Sequence, residues 1–350
     1  RRGVRLATFD LMVARLYPSK FFLKNAWEDA RAEHSEFERA GIDDGIEVLK
    51  VIALQEHIRQ RDAGIKQTIK GIRESDVLNL APETVIAQWN DAVAAIVAAL
   101  RFVEEECGVI RPGLMPSSTM LHPLANLLSP NAPQRKGLRA DLTRWFWAST
   151  FRQTYAQAAN TQAVADTRVL RAWQSDQDAL PDVITNFRLD VESLTEGRSR
   201  NEMLVRGILC RSVLNNARDW CLDTRFIDLQ DKLEIHHVFP AEFLKKHYTG
   251  EKDPIANFVV LAESTNKKLR NMQPKDVLER PDIHKDALVS HGIDLASLEA
   301  ADGDEAPGEA IDRFLAAGVT QLKPMIYAAV GVEEPEVEIK DYAAEAQSYS

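Results

Sequence analysis

Two adjacent histidines, His236 and His237, stand in the segment LEIHHVFP between a β-branched run and a proline. The chain of 350 residues has only eight histidines. A neutral imidazole can accept a proton near neutral pH, and it can also bind a divalent metal. Asn257 and Asn266 follow on the C-terminal side, and an amide oxygen can ligate a metal ion but cannot act as a base near neutral pH. This short segment therefore offers a proton acceptor together with nitrogen and oxygen ligands.

Strand geometry limits how the two histidines can act together. Adjacent side chains on a regular strand point to opposite faces, so neighbouring histidines cannot share one site in the middle of a strand. They can do so if the strand ends there and the chain begins to turn. Pro240 is a marker of such a break, because proline has no N–H group for a strand ladder. We therefore expect the strand to end at the histidine pair.

A basic cluster formed by Lys267, Lys268 and Arg270 follows directly after Asn266 in the segment ESTNKKLRN. Hydrolysis of a phosphodiester bond needs a base for the attacking water, a cation at the leaving oxygen and positive groups that hold the backbone. Alone, such a cluster would be an ordinary solvated face. Next to the histidines and asparagines it predicts contacts to DNA phosphates.

In this order the residues resemble the HNH, or His-Me finger, endonucleases, whose ββα-metal unit consists of two strands and a helix. The greater similarity is to the C-terminal nuclease domain and helical connector of GmrSD-type modification-dependent restriction enzymes. The segments HHVFP, IANFVVL and ESTNKKLRN carry this resemblance over about 50 residues. A weaker likeness of RRGVRLATFDLMVARL to the end of a ParB-like nucleotide-binding domain implies that this upstream sensor domain is missing from the chain.

The resemblance also implies a role for each residue of the site. His237 is the general base, and Asn257 holds its loop through backbone hydrogen bonds. His236 and Asn266 are the metal ligands. Many members of the family have Asp or Glu in place of His236. Mg²⁺ is therefore the expected cofactor, but a nitrogen ligand makes Mn²⁺, Ni²⁺ or Zn²⁺ more competitive.

Other residues that can bind metals are less specific. Asp223, Asp228 and Glu234 are near enough in sequence to add a carboxylate ligand, and nothing in the sequence selects among them. His284 and His291 are the first and last residues of the segment HKDALVSH, which is not an HExxH zinc motif. We interpret both as surface residues.

Two hypotheses from different classes follow. The first is a metal-dependent HNH endonuclease that nicks or cuts DNA as the effector part of an anti-phage restriction system. The second is a catalytically dead helical module of the same fold that serves as a DNA-binding or protein-interaction scaffold. The sequence favours the first, because every polar position that the chemistry needs is occupied.

Most of the chain that must position this segment has the apolar spacing of helices. Helices are predicted at 8–17, 82–106, 138–160, 200–220 and 309–330. The exception is 224–272, where RFIDL, LEIHHVF and NFVVL are predicted strands. The expected fold is therefore mainly α, a helical bundle scaffold with an embedded small ββα-metal unit. The expected domains are a connector at 1–222, a nuclease unit at 223–293 and an acidic C-terminal segment at 294–350.

The charge distribution and the cysteine content indicate where the acidic residues lie and in which compartment the protein is expected. The net charge is −10, yet 294–350 holds 13 acidic and 3 basic residues, so the first 293 residues are balanced with 40 of each sign. The three cysteines have no CxxC spacing, which argues against a disulfide framework and a zinc–thiolate site. We expect a cytoplasmic protein. The apolar stretch at 92–100 is too short to span a bilayer, so no membrane partner is expected.

Overall fold

The computed structural model describes residues 6–176, 179–250, 253–300 and 307–335, and it is mainly helical with a small antiparallel strand pair, which confirms the expected mainly α character. The first five residues and the last fifteen, which belong to the ParB-like stretch and to the acidic segment, lie outside the described residues. The helices that precede the strands are α1 Thr8–Leu16, α2 Leu23–Glu33, α3 Glu36–Arg39, α4 Ile46–Asp62, α5 Glu74–Leu78, α6 Pro82–Cys107, α7 Leu121–Leu128, α8 Leu138–Phe151, α9 Ala159–Ser175, α10 Asp182–Thr185, α11 Glu192–Thr195 and α12 Met203–Leu214.

The described strands, β1 Leu233–His237 and β2 Phe258–Ala262, form one antiparallel pair in which His237 lies opposite Phe258. A helix lies in the connection between the strands, and another follows β2 without a break. The helices of this part are α13 Ala241–His247, α14 Glu263–Leu269, α15 Pro274–Leu278, α16 Lys285–Ser290, α17 Leu295–Ala300 and α18 Pro307–Val330. The predicted first strand, RFIDL, is instead a 3-10 turn at Phe226–Asp228.

Helix α6 is the central element of the helical body. It begins with Pro82 in the first turn, where proline needs no hydrogen-bond partner, and it ends at Gly108 with φ +68°. A Cβ atom at Gly108 would lie 2.5 Å from the carbonyl oxygen of Cys210, so glycine is required there. Among the described helices α6 alone is long and apolar enough to cross a membrane, and over half of its most apolar window is buried in the protein.

The single helix predicted at 138–160 is wrong, because the chain breaks between α8 and α9. Gln153 and Ala158 adopt positive φ angles of 52° and 50° in this connection. The break turns the side chain of Tyr155 inward, where its hydroxyl donates to Oδ2 of Asp166 at 2.8 Å. Trp145 donates its indole N–H to the same carboxylate at 3.2 Å. Tertiary hydrogen bonds at a buried carboxylate therefore outweigh the local helical pattern.

The strand pair lies between two hydrophobic cores. Phe258 and Val260 face the larger core of the helical body, and Val259 and Leu261 face a smaller core. The smaller core includes Trp220, Phe239, Leu244, Leu288 and Phe314. Helix α18, which corresponds to the helix expected at 309–330, contributes to both cores. The two faces of the strand pair therefore have separate surroundings.

His291, which the sequence analysis places on the surface, is instead enclosed by aromatic rings. Its ring lies 6.1 Å from the Trp220 ring and 5.6 Å from the Phe226 ring, in edge-to-face geometry. Nε2 donates to the carbonyl oxygen of Arg218 at 2.9 Å, whereas Nδ1 is buried without a hydrogen-bond partner. Burial lowers the pKa of His291 to about 4. Its companion His284 is exposed, as expected.

This environment predicts a loss of stability in mild acid. Below the ordinary histidine pKa of about 6.5 the unfolded chain takes up a proton that the folded protein excludes until about pH 4. At pH 5 the penalty from His291 is about 2 kcal/mol. His291→Gln removes this penalty. Between pH 7.5 and pH 5 the wild type should therefore lose about 2 kcal/mol more of its unfolding free energy than the variant does.

Urea unfolding of both proteins at the two pH values measures this difference. His284→Gln is the matched control, and its difference from wild type should stay constant. A difference for His291→Gln that does not change with pH would show that His291 is not kept neutral by burial.

Candidate functional site

The two adjacent histidines lie on opposite faces of β1. His236 is paired with Val259 in the strand register, and His237 is paired with Phe258. His236 is only 7% exposed, and its ring packs edge-to-face on the Trp220 ring at 5.6 Å. His237 packs on the Phe258 ring at 4.9 Å, and 29% of its side chain is exposed. The strand ends at His237, as expected, but each imidazole has its own partners.

On the first face, His236 meets Asn266 of α14. The Nδ1 atom of His236 lies 2.7 Å from Oδ1 of Asn266. The amide group of Asn266 donates in turn to the carboxylate of Glu234. Burial lowers the pKa of His236, and the hydrogen bond with Asn266 opposes this effect. Two predicted metal ligands, 30 residues apart in sequence, are therefore in direct contact.

On the second face, His237 meets Asp253, which the sequence analysis did not identify. Nε2 of His237 lies 3.0 Å from Oδ1 of Asp253. A carboxylate that accepts the Nε2–H bond leaves the lone pair on Nδ1, which fixes the tautomer of the imidazole. The loop of Asp253 is held by the backbone N–H of Arg198, which donates to the Asp253 carbonyl oxygen at 2.8 Å. No local sequence pattern indicates this contact.

Asn257 is fully buried, and it binds the turn that follows β1. Its Oδ1 accepts the backbone N–H of Phe239 at 2.7 Å, and its Nδ2 donates to the Phe239 carbonyl oxygen at 3.0 Å. The Asn257 carbonyl oxygen also accepts the N–H of Val238 at 2.9 Å. These bonds replace ladder pairing immediately after His237, so Asn257 orients the end of the strand through the backbone.

The basic cluster on α14 has acidic neighbours. Lys267 forms an ion pair with Glu263 at 2.8 Å, and Lys268 lies 4.0 Å from Asp282. Arg270 is exposed just after the helix. The predicted phosphate contacts of these three residues stay a prediction. Their side chains are solvent-exposed, and two of them have carboxylate groups nearby.

Among the three carboxylates that the sequence left open, the structure places one at the site. Asp223 pairs with Arg218 at 2.8 Å, and Asp228 pairs with Arg225 at 2.8 Å. Glu234 alone of the three contacts a predicted ligand, because its carboxylate accepts the amide hydrogen bond from Asn266.

A buried carboxylate, Asp219, fixes the start of α14 and was not identified from the sequence. Its Oδ1 accepts hydrogen bonds from the Thr265 hydroxyl at 2.6 Å and from the N–H groups of Cys221 and Leu222 at 3.0 Å each. Its Oδ2 accepts the N–H of Ala262 at 2.8 Å. This side chain therefore joins the end of the helical body to the junction of β2 and α14.

Asp219→Ala is expected to lower the free energy of unfolding by about 4 kcal/mol. The reason is that buried donors lose their acceptor and a cavity remains. Urea unfolding measures the change. Asp228→Ala is the matched control, because its ion pair is half-exposed and is worth less than about 1 kcal/mol. Similar losses for both variants would mean that Asp219 does not organise this junction.

Two cavities that share one lining residue border β1. A cavity of ≈ 330 Å³ is lined by Glu234 and Asn266, and a wider groove of ≈ 840 Å³ is lined by His237 and Asp253. Arg200 lines both of them. His236 lines neither cavity, but Arg200 borders both the cavity of its partner Asn266 and the groove of His237.

Among the described residues, few groups near Asn266 could hold a divalent ion. In the described part of the chain, no group of three or more His, Cys, Asp or Glu side chains is arranged around a metal position. His236 and Asn266 instead offer one imidazole nitrogen and one amide oxygen next to an open cavity. Mg²⁺ and Mn²⁺ sites in phosphate-transferring proteins commonly have few protein ligands and several waters.

No protein-family model matches this chain, and comparison with curated proteins finds no match.

Proposed function

We propose that this chain is a metal-dependent DNA endonuclease of the HNH type, in which 223–293 is a ββα-metal unit on a helical scaffold. One observation carries the proposal. The order β1, β2, α14 brings His236 and Asn266 to 2.7 Å, and the next residue of β1, His237, is held by a carboxylate. The proposed proton acceptor and the proposed metal ligand of β1 are therefore neighbours at one strand end, on opposite faces of the strand, and Asn266 reaches the second of them from α14. A role in anti-phage restriction rests on the resemblance to restriction nucleases alone.

In this proposal His237 is the general base. Asp253 accepts the Nε2–H bond, so Nδ1 keeps a lone pair that can accept a proton from the attacking water. Asn257 keeps the end of β1 in place through its bonds to Phe239, which limits the rotation of the strand that carries the imidazole.

His236 and Asn266 would hold the metal ion, Mg²⁺ by preference. A metal ion held there would supply positive charge at the leaving oxygen of the phosphodiester. Glu234 accepts the amide N–H bond of Asn266 and thereby turns Oδ1 towards His236. Trp220 packs on the His236 ring and restricts its orientation. The chain thus positions each ligand through a second residue.

A plasmid-nicking assay tests the proposal. Supercoiled plasmid is incubated with the protein and Mg²⁺, Mn²⁺, Ni²⁺ or Zn²⁺, and EDTA serves as the negative control. The proposal expects nicked or linear plasmid that depends on the metal. If no metal supports cleavage and the protein still binds DNA, the catalytically dead scaffold is the better description.

A further inference from the structure

Three arginines next to the candidate site have no carboxylate partner in the described part of the chain. Arg111 donates to the carbonyl oxygens of Ile110 at 2.7 Å and Leu229 at 2.9 Å. Arg206 donates to the carbonyl oxygen of Met115 at 2.9 Å, and it also donates to an amide oxygen. Arg200 is exposed, and no ion pair to it is found within the described ranges. Their positive charges are therefore not neutralised by the protein.

These arginines line one cavity, and its charge is unusual for this protein. The cavity of ≈ 330 Å³ beside Asn266 includes Arg111, Arg200 and Arg206 but only one carboxylate, that of Glu234. The chain as a whole carries a net charge of −10. A half-enclosed space with three guanidinium groups and one carboxylate attracts anions, because the low-dielectric walls strengthen the field of the charges.

Several arginines elsewhere on the helical body form ion pairs with carboxylates. Arg39 pairs with Glu104 at 2.9 Å, and Arg101 pairs with Glu36 at 2.7 Å. The lysines of α14 also have carboxylate neighbours. Single arginines without a carboxylate partner also occur elsewhere in the described chain, as at Arg144 and Arg211, but three of them line the cavity beside Asn266. Planar guanidinium groups bind two phosphate oxygens at once, which makes a phosphodiester the best-fitting anion.

We propose that this cavity binds a phosphate group of the DNA backbone and that Arg200 holds the phosphate at the position of cleavage. The choice of DNA rests on the proposed nuclease function. We assign this role to Arg200 because it borders both the cavity of Asn266 and the groove of His237. A strand that passes along both spaces must cross it. Arg111 and Arg206, which are anchored by carbonyl groups of the scaffold, bind the neighbouring part of the backbone.

The proposal assigns the phosphate site to the helical scaffold rather than to the basic cluster on α14. Arg111 follows α6, Arg200 precedes α12, and Arg206 lies within α12. The strand pair and α14 then supply the base and the metal ligands, and the scaffold supplies the phosphate contacts. The nuclease unit by itself would lack its principal backbone contacts.

DNA binding is tested in a His237→Ala background, which keeps the DNA intact. Fluorescence anisotropy of a labelled duplex gives Kd over a range of salt concentrations. Arg200→Gln should raise Kd about tenfold and reduce the slope of log K against log salt by about 0.9, the loss of one phosphate contact. The Arg200→Lys variant keeps the positive charge, so it should retain most of the salt slope. It should still bind DNA more weakly than the wild type, because lysine lacks the planar guanidinium fork.

Arg168→Gln is the matched control, since Arg168 is an exposed arginine of α9 outside both cavities. An Arg200→Gln variant whose Kd and salt slope equal those of the control overturns the proposal. The two hypotheses fail separately. If wild type nicks DNA but Arg200→Gln binds normally, the phosphate site is wrong and the nuclease stands. If no metal supports nicking but binding depends on Arg200, the phosphate site stands and the nuclease is wrong.

Discussion

Replacing His237 by alanine is expected to slow plasmid nicking by about 10²- to 10⁴-fold, the usual contribution of general acid–base catalysis. The affinity for DNA should hardly change, because the phosphate contacts lie on other residues. The structure adds a second, smaller expectation. Asp253→Asn should slow nicking by about 10-fold or more, since an amide no longer favours the tautomer with a free Nδ1 lone pair.

Single-turnover nicking rates with saturating protein separate the chemical step from binding. His284→Ala is the matched control, because His284 is exposed and is not part of either cavity. It should nick at the wild-type rate. A His237→Ala protein that keeps more than about a third of the wild-type rate would remove His237 from the role of base.

The metal dependence of nicking should distinguish His236 from His237. Loss of a ligand weakens metal binding, so His236→Ala and Asn266→Ala should need about 10- to 100-fold more Mn²⁺ for half-maximal nicking. Raising the Mn²⁺ concentration should therefore rescue both variants in part. Loss of the base leaves the ligands in place, and no metal concentration should rescue His237→Ala. His236→Asp should favour Mg²⁺, because it replaces a nitrogen ligand with oxygen.

Nicking rates against Mn²⁺ concentration and calorimetric titration with Mn²⁺ measure the two effects independently. His236 is buried against Trp220, so His236→Ala also leaves a cavity in the smaller core. Asn266 is half-buried at the surface of that core, and Asn266→Ala tests the same role with less cost to folding. If metal rescues His237→Ala and fails to rescue His236→Ala, the two assignments are reversed.

The sequence predicted features that depend on local patterns. Helix α6 begins at Pro82 and ends before Gly108, because proline suits a first turn and glycine suits a left-handed end. The β-branched runs around His236 and Val259 are strands, and the strand stops at His237. These features depend on residues that are close together along the chain, so composition and periodicity are sufficient to reveal them.

Other features of the candidate site depend on residues that are distant in sequence. Asp253 reaches His237 only because its loop is tied to the backbone at Arg198. Asp219 reaches Thr265 across 46 positions, and Arg200 lies beside Asn266 only after the scaffold packs against the strand pair. No local propensity encodes such contacts, since each is formed by the packing of two elements.

The sequence by itself thus determined a mainly helical protein with a short strand pair, whose first strand ends at His236 and His237 and whose second strand leads into the segment of Asn266. The tertiary structure decided which groups surround them. It placed the two histidines on opposite faces with different partners, and it brought Arg111, Arg200 and Arg206 into one cavity with Asn266, with Arg200 also bordering the groove of His237. The physical reason is that side-chain alternation is a property of one strand, whereas charge balance in a cavity depends on every element that lines it.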